Sequence, residues 1–275
     1  MILQDLKGSA ENINNVFVKT LLIASLTLSS LFAITGQEIA QKVHDRDDGD
    51  NSISNMKMIL IDKKGKKRVR NLKTYVKDKG NDRLKLMFFL SPADVRNSGF
   101  LTYDYDDSNK DDDQWLYLPE LKKVKRIASS DKSSSFMGSD FTYSDMTSKN
   151  VQDYTYEIMK EKKVGNHMTW QILVTPKSEK TIKETGYEKS IVFVRQDNFV
   201  IIQALNYIKI GKKLKYMKVL SLEKIEGIWT TTKMQMITKK GKKTLHKTIF
   251  EFSDIQYNQN LEESFFTTRT LERGL

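Results

Sequence analysis

The property that most restricts this chain is alternation. From about Ser54 onward apolar residues recur at every second position: Leu84, Leu86, Phe88 and Leu90 are interleaved with Arg83, Lys85, Met87 and Phe89, and Met56, Met58 and Leu60 with Lys57 and Ile59. Trp170, Ile172 and Val174 share one parity, as do Ile191 with Phe193, Met217 with Val219, Met234 with Met236, and Phe250 with Phe252. Successive side chains of a strand point to opposite faces, so a period of two marks half-buried antiparallel strands. Gly165-Asn166, Gln196-Asp197-Asn198 and the Lys-Gly-Lys clusters supply turn residues at short intervals, as hairpins require. Read this way, the pattern predicts about ten strands.

Helical pattern is confined to 37–44, a short stretch after Ser139, and the tail around 261–271. The irregular stretches are 45–51, 104–113 and 129–139, and none is a Pro/Gly/Ser linker between two folded halves. A length of 275 residues suits a single large all-β domain. The expectation is therefore a mainly β fold over 37–275, built on one large curved antiparallel sheet. Such a sheet must curl, close or be covered, because otherwise one apolar face meets water. A curled sheet with too few helices to fill its hollow leaves a cavity, and that cavity is the route from pattern to ligand.

The amino terminus reads as an address. Val18-Lys19-Thr20 leads into an apolar run over 21–34, about the length of a signal-peptide core and too short to span a bilayer comfortably. Lys19 supplies the positive flank and Gly36 the small residue at the cleavage point, so 1–36 is expected to be a signal peptide and the mature chain to begin near Gln37. Residues 1–17 are polar, mixed in charge and long for such a leader; translation starting at Val18 accounts for them, and a retained anchor is the other reading. Zero cysteines exclude disulfides, thiol catalysis and a lipid-modified cysteine, without arguing against export.

The formal net charge is +11, and removal of Lys7, Lys19, Asp5 and Glu11 leaves it unchanged. Lysine collects at turns such as Lys63-Lys64-Gly65-Lys66-Lys67 and Lys239-Lys240-Gly241-Lys242-Lys243. The plain reading is solvated hairpin tips, where lysine also discourages edge-to-edge strand pairing. The functional reading is attraction to anionic lipid head groups. Nucleic acid is disfavoured, since no basic helix or base-reading motif is present.

Catalytic and metal signatures are weak. His44, His167 and His246 lie far apart on different expected elements. The acidic run from Asp45 superficially resembles a calcium loop, but its twelfth position is Met56 rather than Glu. Asp111-Asp112-Asp113 lacks an organised ligand set, no Gly-x-Ser-x-Gly elbow occurs, and Ser139 sits in a serine-rich loop without an assignable base. No catalytic residue, metal or cofactor is expected.

One stretch stands apart. Asp113-Gln114-Trp115-Leu116-Tyr117-Leu118-Pro119 reads as a buried strand and a proline break, followed by a basic strand through Arg126-Ile127. Then comes Ser135-Phe136-Met137-Gly138-Ser139-Asp140-Phe141-Thr142-Tyr143, an apolar, aromatic loop bounded by serines. It is either packed on the sheet edge or a flexible lid over the cavity, formed by Phe136, Met137, Phe141 and Tyr143; aromatics and methionine adapt to varied apolar ligands.

These residues, with Asp145, Met56-x-Met58, Arg70, Phe89-Leu90-x-Pro92, Gly99-Phe100-Leu101 and Phe266-Thr267, resemble the LolA-like outer-membrane lipoprotein-sorting proteins, in the branch often found with RND/MMPL-type exporters. The resemblance runs from about Ala40 to Leu271. It implies an open half-barrel of the LolA/LppX kind, with a few short helices over its concave face. It also implies a periplasmic protein that holds the acyl group of a lipid or lipoprotein, with an inner-membrane exporter as partner. The strand residues expected to line the cavity are Leu84, Leu86, Phe88, Leu116, Leu118, Trp170, Ile172, Phe193, Met217, Met234, Phe250 and Phe252. The alternatives are an envelope sensor or scaffold that binds another protein without cargo, and a hydrolase using Ser139 or a carboxylate.

Overall fold

A computed structural model describes residues 34–275. The expected leader, with its start at Val18, lies outside the described residues apart from 34–36. Gly36–Leu275 forms one unit.

Thirteen strands make one antiparallel sheet: β1 (Asn51–Asp62), β2 (Lys67–Lys79), β3 (Asp82–Ser91), β4 (Gly99–Asp104), β5 (Asp113–Leu118), β6 (Lys123–Arg126), β7 (Tyr154–Val164), β8 (His167–Pro176), β9 (Tyr187–Arg195), β10 (Ile201–Ile208), β11 (Lys213–Ile225), β12 (Ile228–Lys240) and β13 (Lys243–Tyr257). The order is β6-β5-β4-β3-β2-β1-β13-β12-β11-β10-β9-β8-β7. Two meanders therefore meet where β1 pairs with β13, for example Met58 opposite Phe250, and the sheet stays open as a half-barrel. Strands as short as four to six residues, such as β6 and β4, show few alternations, which explains a count above ten.

Each face is covered differently. Over the concave face lie α1 (Gly36–His44), the segment 127–153 with its short 3-10 turns, and α2 (Glu179–Thr185). Glu38 in the first turn of α1 and Lys42 and His44 in its last suit the helix dipole, and Ile39 is fully buried, worth about 1.5–3 kcal/mol. Ser178 caps α2 by accepting from the Thr181 amide at 3.1 Å. Gly186, at φ 78°, ends α2 by donating to the Ile182 carbonyl at 2.8 Å. On the opposite face α3 (Thr268–Arg273) covers β4–β6, so the helices do not all lie on the concave side. Among the described residues no helix is long and apolar enough to cross a membrane.

Candidate functional site

The concave cluster joins Met56, Met58 and Leu60 of β1, Leu72 of β2, Met87 and Phe89 of β3, Phe100 of β4, Leu116 of β5, Met236 of β12 and Phe250 of β13. Leu118, Met217, Met234 and Phe252 pack against it half-buried. The aromatic loop does not roof this trough; it fills it. Phe136 and Phe141 are buried within the cluster, and Met137 and Tyr143 pack on it. Phe136 stands 5.0 Å from Phe100 and edge-on to Tyr143 at 5.6 Å between ring centroids.

The twelve residues expected to share the cavity divide between two faces. Leu84, Leu86 and Phe88 lie on the opposite side of the sheet, under Phe266 and Leu271 of the C-terminal segment. The reason is that β3 is buried on both sides, so Leu84–Phe88 and Met87–Phe89 carry equal apolar signals. Phe193 also faces outward, with the Lys162 ammonium 5.8 Å from its ring centroid, while its neighbours Val192 and Val194 are buried. Trp170 stacks on Phe199 at 5.7 Å, and Ile172 faces the space beneath α1.

Polar anchors fix the loop in the trough. The guanidinium of buried Arg70 donates to the Met137 carbonyl, where the Met137 backbone is left-handed at φ 49°. The Asp140 carboxylate is buried; it accepts from Thr238 and, at 2.7 Å, from the Thr248 hydroxyl, and lies 2.6 Å from His246 Nδ1. The Asp140 amide returns a bond to Thr248 Oγ1 at 2.9 Å. Asp145 accepts from the Tyr187 hydroxyl and from the Thr142 amide, both at 2.8 Å. Burial, reinforced by Asp145, holds the Tyr187 phenol well above its ordinary pKa. Lys85 donates to the Met146 carbonyl at 2.7 Å, and burial lowers its ammonium pKa. Hydrogen bonds to charged groups contribute about 1.5–3 kcal/mol each, so displacing the loop means breaking several at once.

Ser139 is turned into its own loop: its hydroxyl donates to the Phe141 carbonyl at 3.3 Å, and His246 engages Asp140 instead. His44 sits 3.3 Å from Asp106, and His167 is exposed at the start of β8. Among the described residues no group of three or more His, Cys, Asp or Glu side chains is placed to hold a metal.

Two hollows remain. Beneath α1 is a cavity of about 350 Å³ walled by Val43, Ile172, Val174, Val192, Val194 and Ile201. Its polar rim includes Arg83, which pairs with Asp48 and, at 2.8 Å, with Asp78. The second hollow, about 1090 Å³, lies between the serine loop, α2 and the ends of β10 and β11. Ser133, Ser135, Thr142 and Thr185 give it polar walls, with Ile182, Ile208 and Ile210 on one side. Lys215 also lines it; burial lowers its ammonium pKa, and its Nζ lies 5.5 Å from the Tyr187 ring centroid. Of the twelve strand residues expected to line a cavity, only Ile172 touches the one under α1. The parity of Val192 and Val194 was available to sequence reasoning, but the larger Ile191 and Phe193 outweigh it.

Residues 81–273 match a family model whose description reads "uncharacterized protein". A DUF1329 family protein from Desulfovibrio piger is 32% identical and superposes with a TM-score of 0.78, over 86% of this chain and 97% of that one. An outer membrane lipoprotein-sorting protein domain from Vibrio parahaemolyticus is 30% identical with a TM-score of 0.78, over 86% and 98%. A LolA superfamily protein from Nitrosomonas europaea, 19% identical, shares the fold at a TM-score of 0.66 over 86% and 100%. No functionally curated protein matches the chain.

Proposed function

Because the chain belongs to the LolA-like family of outer-membrane lipoprotein-sorting proteins, we propose that it is a periplasmic carrier or accessory protein that holds the acyl group of a lipid or lipoprotein without covalent chemistry. In this reading residues 1–36 direct export, and an RND/MMPL-type exporter supplies or receives the cargo.

One observation carries the reading. The protein's own side chains leave a 350 Å³ hollow beneath α1 with valine and isoleucine over its floor and a polar mouth that includes Asp48, Arg83, Asp104 and Lys149, the division an acyl chain with a polar head requires. That volume lies within the range of small-molecule sites, about 300–1,000 Å³. Each methylene withdrawn from water there contributes about 0.8 kcal/mol, so a tail of about a dozen carbons is held firmly after ordering costs. The residues first expected at the cavity, Leu116, Leu118, Met217, Met234, Phe250 and Phe252, would receive a longer or second chain only when Phe136 and Phe141 withdraw. Uptake of a fluorescent fatty acid by the purified protein tests the reading; saturable uptake is expected, and its blockage by Val192→Phe locates it. The filled trough favours the second reading, an envelope sensor or scaffold without cargo, which takes up no acyl probe.

A further inference from the structure

Antiparallel order sends successive turns to alternate ends of the sheet. The turn at 62–67 joins β1 to β2, the turn at 240–243 joins β12 to β13, and the turn at 208–213 joins β10 to β11. Register places the three at one end: Asp62 lies opposite His246, next to the turn after Lys240, and Lys213 lies opposite Lys240. They span six adjacent strands from β2 to β10, a rim about 24 Å wide at about 4.8 Å per strand.

This rim is strongly positive. The three turns hold ten lysines, nine of them exposed, and a single carboxylate, Asp62. Asp62 is occupied by its own turn, accepting from the Lys64 and Lys66 amides at 2.8 and 3.0 Å. Among the described residues only Lys209 of the ten is in an ion pair, with Glu179. The loops toward the opposite end are acidic: 104–113 carries six aspartates against one lysine, with Asp111 reaching the large hollow to pair with Lys180, and 45–50 four aspartates against one arginine. One rim is thus strongly basic, while the other end mixes these acidic loops with Lys79, Lys160, Lys162, Lys163 and Lys224 at and near its turns.

Two further facts concern the same rim. Ile210, at the tip between β10 and β11, is 82% exposed. The 1090 Å³ hollow reaches this tip, where Ile208, Ile210 and Lys213 form part of its wall.

We propose that this lysine rim docks the protein on an anionic lipid bilayer, with Ile210 entering the head-group layer and the mouth of the large hollow facing the membrane. Lysine clusters spread over three separate turns suit a flat, diffuse negative surface; hairpin tips without aromatic residues are not the stacking platform that a nucleic-acid strand requires. The acidic loops toward the other end are repelled by the same surface, which favours one orientation. The proposal goes beyond the acyl-holding reading and does not depend on it.

Co-sedimentation of the mature chain with phosphatidylcholine vesicles, with and without phosphatidylglycerol, tests it. The expected result is binding to the phosphatidylglycerol vesicles alone, weakening as salt rises. Reversing the tips with Lys64→Glu, Lys66→Glu, Lys242→Glu and Lys243→Glu is expected to lower vesicle affinity at least about 100-fold, from about fivefold per lysine near such a surface. Ile210→Ser weakens it less, and Lys110→Glu with Lys224→Glu, away from the rim, leaves it unchanged. Far-ultraviolet circular dichroism establishes that the variants are folded. Absence of binding to phosphatidylglycerol vesicles, equal binding by the reversed-tip protein, or binding to DNA in preference to vesicles overturns the proposal. Val192→Phe separates the two readings, since it fills the acyl cavity and is expected to leave vesicle binding intact.

Discussion

Phe141 lies face to face on Phe250, with ring centroids 4.2 Å apart and planes 16° from parallel. One ring belongs to a connecting loop and the other to a central strand, so the loop supplies apolar surface that the sheet alone would leave bare. The half-barrel is closed over here by its own chain, and open volume lies elsewhere, under α1 and between the serine loop and α2.

Phe141→Ala removes that stacked ring from a buried position and is expected to cost about 3–5 kcal/mol, the usual range for Phe→Ala in a core. Urea denaturation followed by tryptophan fluorescence measures it. A loss below about 1 kcal/mol would mean that the loop is not seated in the trough.

Arg70→Ala leaves the Met137 carbonyl without its charged donor and is expected to cost about 1–3 kcal/mol. The effect is local. Amide exchange should quicken over 136–143 and stay slow in β1 and β13; equal quickening throughout would contradict an anchor specific to the loop.

Burial, with Asp104 nearby, pushes the Asp112 carboxyl up to about 6. Its folded pKa thus exceeds its unfolded one, so the native state binds more proton and stability falls as pH rises from about 4 to about 6, then levels. Asp112→Asn keeps an acceptor for the Tyr105 amide, at 3.0 Å, without the charge. It should raise stability by about 1–3 kcal/mol near pH 7.5 and little near pH 3.5. Thermal melts at both values measure it; equal gains at both would exclude a charge effect.

A Cβ on Gly99 would stand 2.6 Å from Leu271 Cδ1, so Gly99→Ala should push α3 off β4 and cost about 1–3 kcal/mol. Leu271→Ala opens the space, and the double variant should be more stable than the sum of the single losses implies. Strict additivity would show that the two sites do not touch.

Much of this arrangement is legible in the chain. Met56, Met58 and Leu60 alternate cleanly and all reach the concave cluster, and the lysine turns fall at hairpin tips. β3 was illegible because both of its faces are apolar, and alternation then says nothing about which side is concave. The aromatic loop reads equally as lid or filling until Arg70 meets Met137, 67 positions away, and Asp140 meets Thr248, 108 positions away. The cavity under α1 depends on a nine-residue helix settling over Val192 and Val194, a contact that no local pattern encodes.

The central claim is that the hollow under α1 holds an acyl group. Native mass spectrometry of the protein expressed as the full chain and purified without detergent tests it most directly. The account predicts a copurified lipid at close to one per chain, absent from Val192→Phe. A wild-type protein that is empty and takes up no lipid analogue, or a Val192→Phe protein that carries the same lipid, would contradict it.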